Sequence, residues 1–165
     1  MKKLLILSFL TIAFSASKAQ SINPAIPHFK ILKADSTYIT WTTLKKDKPV
    51  MIIYFMPDCP HCQNLMSELK QNMKNFKDIQ IVMITDTRTQ YPYLNLLRNF
   101  SKTYALPKYK NIVMGTEFPM YTVNEYYNLQ TTPFIAIYNR AGKMTKYFDK
   151  PATINDIATA VKKTY

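Results

Sequence analysis

The chain reads as one α/β domain: a central mixed sheet flanked by helices, with an N-terminal β-hairpin extension. Three observations predict this. Val50 to Met56 is an unbroken run of seven apolar or aromatic residues, the length and bulk of a strand covered on both faces. A helix-period segment and a second apolar run, Gln80 to Thr85, follow it; strand, helix and strand make a right-handed parallel crossover. Phe134 to Tyr138 then meets Asn139-Arg140-Ala141-Gly142, a hairpin turn with Gly142 suited to positive φ, and Lys143 to Phe148 returns antiparallel.

The first segment, residues 1–19, has the form of a secretory signal. Lys2 and Lys3 precede an apolar core from Leu4 to Phe14, too short to cross a bilayer as a stable helix. Ser17-Lys18-Ala19 fits a small-x-small cleavage site, which makes Gln20 the new N-terminus. The apolar core is not followed by a cysteine, so a lipid anchor is not expected. Residues 20–28, with Pro24 and Pro27, read as an extended lead-in. Residues 29–165 form the domain, which at this length is one unit rather than two.

Within the domain, Phe29 to Lys33 and Ser36 to Thr40 pair as a short hairpin around Ala34-Asp35. Trp41 to Leu44 forms a turn of helix, and Lys45 to Pro49 leads into the central strand. Pro57 and Asp58 end that strand. Cys59 falls where a helix begins, and Pro60 takes the first helical position, where a missing N–H costs nothing. The helix carries an apolar stripe, Leu65, Leu69, Met73 and Phe76, at steps of four, four and three. Pro92 opens another helix, with Tyr93, Leu97, Phe100 and Tyr104 on one face, and Leu106-Pro107 stops it. Asn111 to Met114 is a third parallel strand. Thr122 to Glu125 has the pattern of a capping box before a short helix. Thr153 caps the last helix, whose Ile154, Ile157, Ala158 and Val161 share a face. His28 is read as a lone surface residue.

The formal charge is +12, and loss of Lys2, Lys3 and Lys18 with the signal lowers it to +9. The basic residues are scattered, which reads as a solvated face with some attraction for acidic partners or envelope surfaces. No basic and aromatic module argues for nucleic acid.

The chemistry lies in Cys59-Pro60-His61-Cys62, which contains both cysteines of the chain. Export to an oxidising compartment makes a spare cysteine a hazard, and none is kept. Cys62 is in phase with the buried stripe of its helix. Cys59 sits at the open mouth, where first-turn N–H groups and the helix dipole favour a thiolate. His61 adds a second positive influence, and Asp58 opposes it from a solvated position. A structural bridge between residues three apart closes almost no loop and stabilises little. A zinc site needs about four ligands, and the chain has two Cys and two His in all. The dithiol is therefore read as redox-active, with no metal site and no cofactor.

Cys59-Pro60-His61-Cys62 matches the motif of DsbA-type oxidants, and its place after a hydrophobic strand resembles the thioredoxin superfamily. Tyr127-Asn128-Leu129-Gln130-Thr131-Thr132-Pro133 resembles the superfamily's later Thr-Pro pattern. The N-terminal hairpin is similar to that of TlpA/ResA-like thioredoxins, while the separation of Cys62 from Pro133 is too short for DsbA's helical domain. The resemblance implies a thioredoxin-like fold, a cis Pro133 against the cysteine pair, and a Thr132 backbone that receives extended substrate. It implies a protein-disulfide oxidoreductase in which Cys59 attacks and Cys62 resolves, with Pro60 and His61 tuning the thiol.

Two departures stand out. Ile53 occupies the place where many thioredoxins bury an acid, so water or another group must manage the Cys62 proton. Thr132 stands where DsbA commonly has Val. The implied partners are protein thiols and disulfides and a membrane redox partner; localisation is periplasmic or secreted. An oxidising role is favoured by His61. The alternatives are a reductant of the cytochrome-maturation type, as the TlpA/ResA-like architecture implies, and a Cu(I) carrier using Cys59, Cys62 and Met56.

Overall fold

The computed structural model describes residues 24–86 and 93–165; the expected signal over residues 1–19 and the opening of a helix at Pro92 lie outside them. β1 (Lys30–Leu32) and β2 (Tyr38–Thr40) form the hairpin. β3 (Val50–Phe55), α1 (Pro60–Gln71) and β4 (Gln80–Thr85) form the crossover. α2 (Tyr93–Thr103), β5 (Ile112–Thr116) and α3 (Thr122–Tyr127) follow, then β6 (Phe134–Tyr138), β7 (Met144–Phe148) and α4 (Ile154–Lys162). The strands make one seven-stranded mixed sheet in the order β2-β1-β5-β4-β3-β6-β7.

β3 holds the sheet together. All six of its residues are buried. It pairs parallel with β4, from Val50 opposite Gln80 to Phe55 opposite Thr85, and antiparallel with β6, from Val50 opposite Tyr138 to Tyr54 opposite Phe134. Alternation sends Met51, Ile53 and Phe55 to one core, with Cys62, Leu65 and Leu69 of α1 and Ile157 and Val161 of α4. Val50, Ile52 and Tyr54 go to the other, with Phe29, Ile31 and the α3 residues Val123 and Tyr127. Burying each large apolar side chain of this kind contributes about 1.5–3 kcal/mol, so the central strand stabilises both layers.

Close approach explains one glycine. A Cβ on Gly115 would lie 2.8 Å from the backbone oxygen of Leu32 in β1, so β5 accepts the hairpin because that position has no side chain. Gly142 adopts φ +72° in the β6–β7 turn, as expected.

Three local expectations are corrected. α1 ends at Gln71 rather than running to Phe76. The Asn72 side-chain amide donates to the Glu68 carbonyl at 2.9 Å, a local bond that competes with helix continuation. A 3-10 turn over Met73–Asn75 still delivers Phe76 to the core. Thr122 is not the cap of α3: the cap position is Tyr121, in a left-handed conformation, and it supplies no side-chain cap. His28 is exposed but not alone, for its ring stacks on Trp41 at 4.2 Å. The cap of α4 is as expected, with Thr153 Oγ1 accepting the Asp156 N–H at 3.2 Å.

Candidate active site

Cys59 is the N-cap of α1 in an extended conformation, and Pro60 follows at the start of the helix. The turn that aims the helix is held by the Cys59 N–H, which donates to the Met56 carbonyl at 3.1 Å. The Gln63 side chain donates to the Pro57 carbonyl at 2.9 Å. The strand thus ends in a fixed corner, with Cys59 partly exposed and Cys62 buried among core residues. Both cysteines carry free thiols.

The two sulfurs differ in environment. Burial pushes the Cys59 thiol up, but the Cys62 N–H, the Cys62 and Thr132 contacts and the His61 N–H outweigh it and hold Cys59 below the ordinary thiol range. Desolvation dominates at Cys62 and pushes its thiol up to about 12, against the Met56 N–H, which donates to its sulfur at 3.5 Å. The thiolate is therefore favoured at Cys59 over Cys62, which holds its proton more tightly. His61 contributes to this pattern through its backbone N–H, while its side chain is exposed.

The later segment meets the pair. Thr132–Pro133 is a cis peptide, and the Cys59 thiol points to the Thr132 carbonyl oxygen at 3.7 Å. Cys59, Pro60, His61, Cys62, Thr132 and Pro133 are thus gathered at one end of the sheet. Ile53 lies in the core beneath α1. Met56 is partly buried, with its sulfur accepting from the Thr85 hydroxyl at 3.8 Å. Among the described residues, no group of three or more His, Cys, Asp or Glu gathers to hold a metal.

Sequence reasoning missed a buried polar cluster at the same end of the sheet. Phe55, Thr85 and Thr116 lie side by side in β3, β4 and β5. The residues after them, Asp86 and Glu117, are both buried. Glu117 accepts the Tyr54 hydroxyl at 2.9 Å, the Val123 N–H at 2.6 Å and the Asn124 N–H at 3.0 Å. It therefore supplies the cap that α3 lacks in its own sequence. Desolvation raises the Glu117 pKa, against those three bonds, and the charge of Asp86 adds to the rise. Desolvation and the Glu117 charge likewise push the Tyr54 hydroxyl up. The available signal was an acid placed directly after an apolar strand, where it reads as a solvated strand end.

A family model described as a thioredoxin-like domain matches residues 40–157. By fold, the chain is similar to a secreted Mycobacterium tuberculosis disulfide oxidoreductase homologous to E. coli DsbE. That match has 18% identity and a TM-score of 0.67, over 82% of this chain and 96% of that one. It is also similar to M. tuberculosis DsbF, at 14% identity and a TM-score of 0.68, over 84% and 96% of the respective chains. A third likeness is to the exposed lipoprotein thioredoxin of Streptococcus pneumoniae, at 17% identity and a TM-score of 0.62, over 82% and 98%. At these identities the likeness is one of fold. No curated protein sequence matches the chain.

Proposed function

The chain belongs to the thioredoxin-like domain family, and we propose that it serves as an exported thiol–disulfide oxidoreductase, exchanging disulfides with protein substrates through Cys59 and Cys62. The observation that carries this reading is the asymmetry of the pair. Cys59 is lowered and reachable, while Cys62 is buried and pushed up to about 12.

In the reducing direction the Cys59 thiolate attacks one sulfur of a substrate disulfide, and the other substrate sulfur leaves as a thiol. Cys62 loses its proton as it attacks the Cys59 sulfur, displaces the bound substrate thiol and closes the Cys59–Cys62 disulfide. In the oxidising direction the steps reverse: a substrate thiolate attacks Cys59 of the disulfide, and Cys62 is the leaving group. The Thr132 backbone offers its N–H and C=O to an extended substrate, in the manner of an added strand.

Of the two directions we assign the oxidising one. The interactions that hold Cys59 as a thiolate exist only in the reduced form, so they stabilise it and raise the potential, by about 30 mV for each 1.4 kcal/mol. The His61 and Cys62 N–H groups supply part of this. The signal segment at residues 1–19 and the domain from residue 29 agree with export. A secreted disulfide oxidoreductase among the structures of similar fold supports the same location, and the reading calls for a membrane redox partner there to reset the pair.

The test is a glutathione titration of the mature domain beside His61→Pro. The reading expects a potential above that of a reducing thioredoxin, lowered by the substitution. A wild-type potential as low as a reducing thioredoxin's, unchanged in His61→Pro, would overturn the oxidising assignment.

A further inference from the structure

Next to the loop that meets Cys59, on the α3 side of the sheet, the surface opens into a groove of about 400 Å³. Tyr126, Phe134 and Tyr147 give it aromatic walls, and its charged lining is two carboxylates, Glu125 and Asp149, with no lysine or arginine. In a chain with 22 basic residues against 10 acidic ones, that sign runs against the surface as a whole. Neither carboxylate is held in an ion pair among the described residues. The rings of Phe134 and Tyr147 lie parallel within 25°, at 6.1 Å.

The groove is placed to read a substrate. Phe134 pairs with Tyr54 at the cysteine end of the sheet. Thr131 lines the groove and its hydroxyl donates to the Asp149 carbonyl at 3.2 Å. The next residue, Thr132, receives the Cys59 thiol. An extended chain advances about 3.3 Å per residue and alternates its faces, so in a substrate segment paired along Thr132 the side chains two residues from its cysteine lie roughly 7 Å from it, and the groove begins at Thr131, one residue from Thr132. The depression on the other side of Pro133 is different, lined by His61, Glu68 and Lys150.

We propose that this groove gives the oxidoreductase read above a preference for protein segments that carry lysine or arginine two residues from the reactive cysteine. The apolar stem of such a side chain lies on the tyrosine rings, and its cation meets the ring faces and the two carboxylates. Bulk charge makes the opposite demand: a strongly basic protein draws acidic peptides. The two effects are therefore separable by sign.

The experiment uses the reduced mature domain and two short peptides, each with one cysteine held as a mixed disulfide with thionitrobenzoate. One peptide has lysines flanking the cysteine at two residues' distance, the other glutamates. The Cys59 thiolate attacks the peptide sulfur, coloured thionitrobenzoate leaves, and Cys62 releases the peptide thiol. The groove predicts that the lysine peptide reacts about three-fold faster or more, and that this ratio falls to one or below in Glu125→Gln/Asp149→Asn. A glutamate peptide that reacts as fast or faster with wild type overturns the proposal, as does a lysine preference that survives the double substitution. Release no faster than with Cys59→Ser would overturn the oxidoreductase reading itself, and the groove's role with it.

Discussion

The thiol of Cys59 lies 3.7 Å from the carbonyl oxygen of Thr132, across 73 residues of sequence. Two segments that share no local signal are brought together by one strand pairing: β3 delivers the cysteine corner, and β6, antiparallel beside it, is preceded by Thr132-Pro133. The same pairing brings the Thr132 side chain to the thiol, and its hydrogen bond helps to hold Cys59 below the ordinary thiol range, together with the first-turn N–H groups and against the cost of burial.

A first prediction concerns thiol reactivity. In the reduced protein, alkylation by iodoacetamide should follow one titration below the ordinary thiol range, and peptide mapping should place the label on Cys59. Cys62, pushed up to about 12, should stay unlabelled at neutral pH, including in Cys59→Ala. The lowered folded pKa of Cys59 also sets a sign for stability. Its contribution is present above the ordinary thiol pKa and is lost as pH falls through the folded value. Urea midpoints of reduced wild type should fall relative to Cys59→Ala over that window.

A second prediction concerns Glu117. Glu117→Ala leaves the Tyr54 hydroxyl and the Val123 and Asn124 N–H groups without their acceptor, at a cost of about 2–4 kcal/mol in chemical denaturation. Tyr54→Phe removes one of the three bonds and should cost about 1–2 kcal/mol.

The same residue gives a pH dependence. Burial raises the folded pKa of Glu117, so the folded protein keeps a proton that the unfolded chain releases. Its contribution is complete below the ordinary glutamate range and is lost as pH rises through the folded value. The difference in urea midpoint between wild type and Glu117→Gln should therefore move in the wild type's favour as pH is lowered from neutral. Movement the other way would contradict the assignment.

A fourth prediction separates the two glycines. Gly115→Ala drives a methyl group against the Leu32 carbonyl in the sheet, where a Cβ would stand 2.8 Å from a backbone oxygen, and should cost about 1–3 kcal/mol. Gly142→Ala makes only an ordinary contact, with Ile26 at 3.7 Å, and is strained by its φ of +72°, at about 1 kcal/mol. Urea unfolding of the two variants gives both values.

Much of this was legible because it is local. An apolar run ending in Pro57-Asp58-Cys59 announces a strand, a corner and a helix start, and the phase of Leu65 and Leu69 places Cys62 inward. The end of α1 was not legible, because Met73 and Phe76 continue the apolar period and only the Asn72 side chain breaks the helix. The cap of α3 was misread because Thr122 and Glu125 have the right spacing, while the group that caps the helix is Glu117. Nothing near Glu117 in sequence points to Tyr54; the register of β3, β4 and β5 does. The exposed ring of His61 shows the same limit, since a motif names the residue and not the atoms through which it acts.

The division of labour between the cysteines is tested most directly by trapping. Cys62→Ala, incubated with disulfide-bearing protein, should accumulate mixed disulfides that mass spectrometry maps to Cys59, and Cys59→Ala should accumulate none at neutral pH. Adducts that form on Cys62 in Cys59→Ala as readily as on Cys59 in Cys62→Ala would contradict the account, because the buried sulfur would then be the one that attacks.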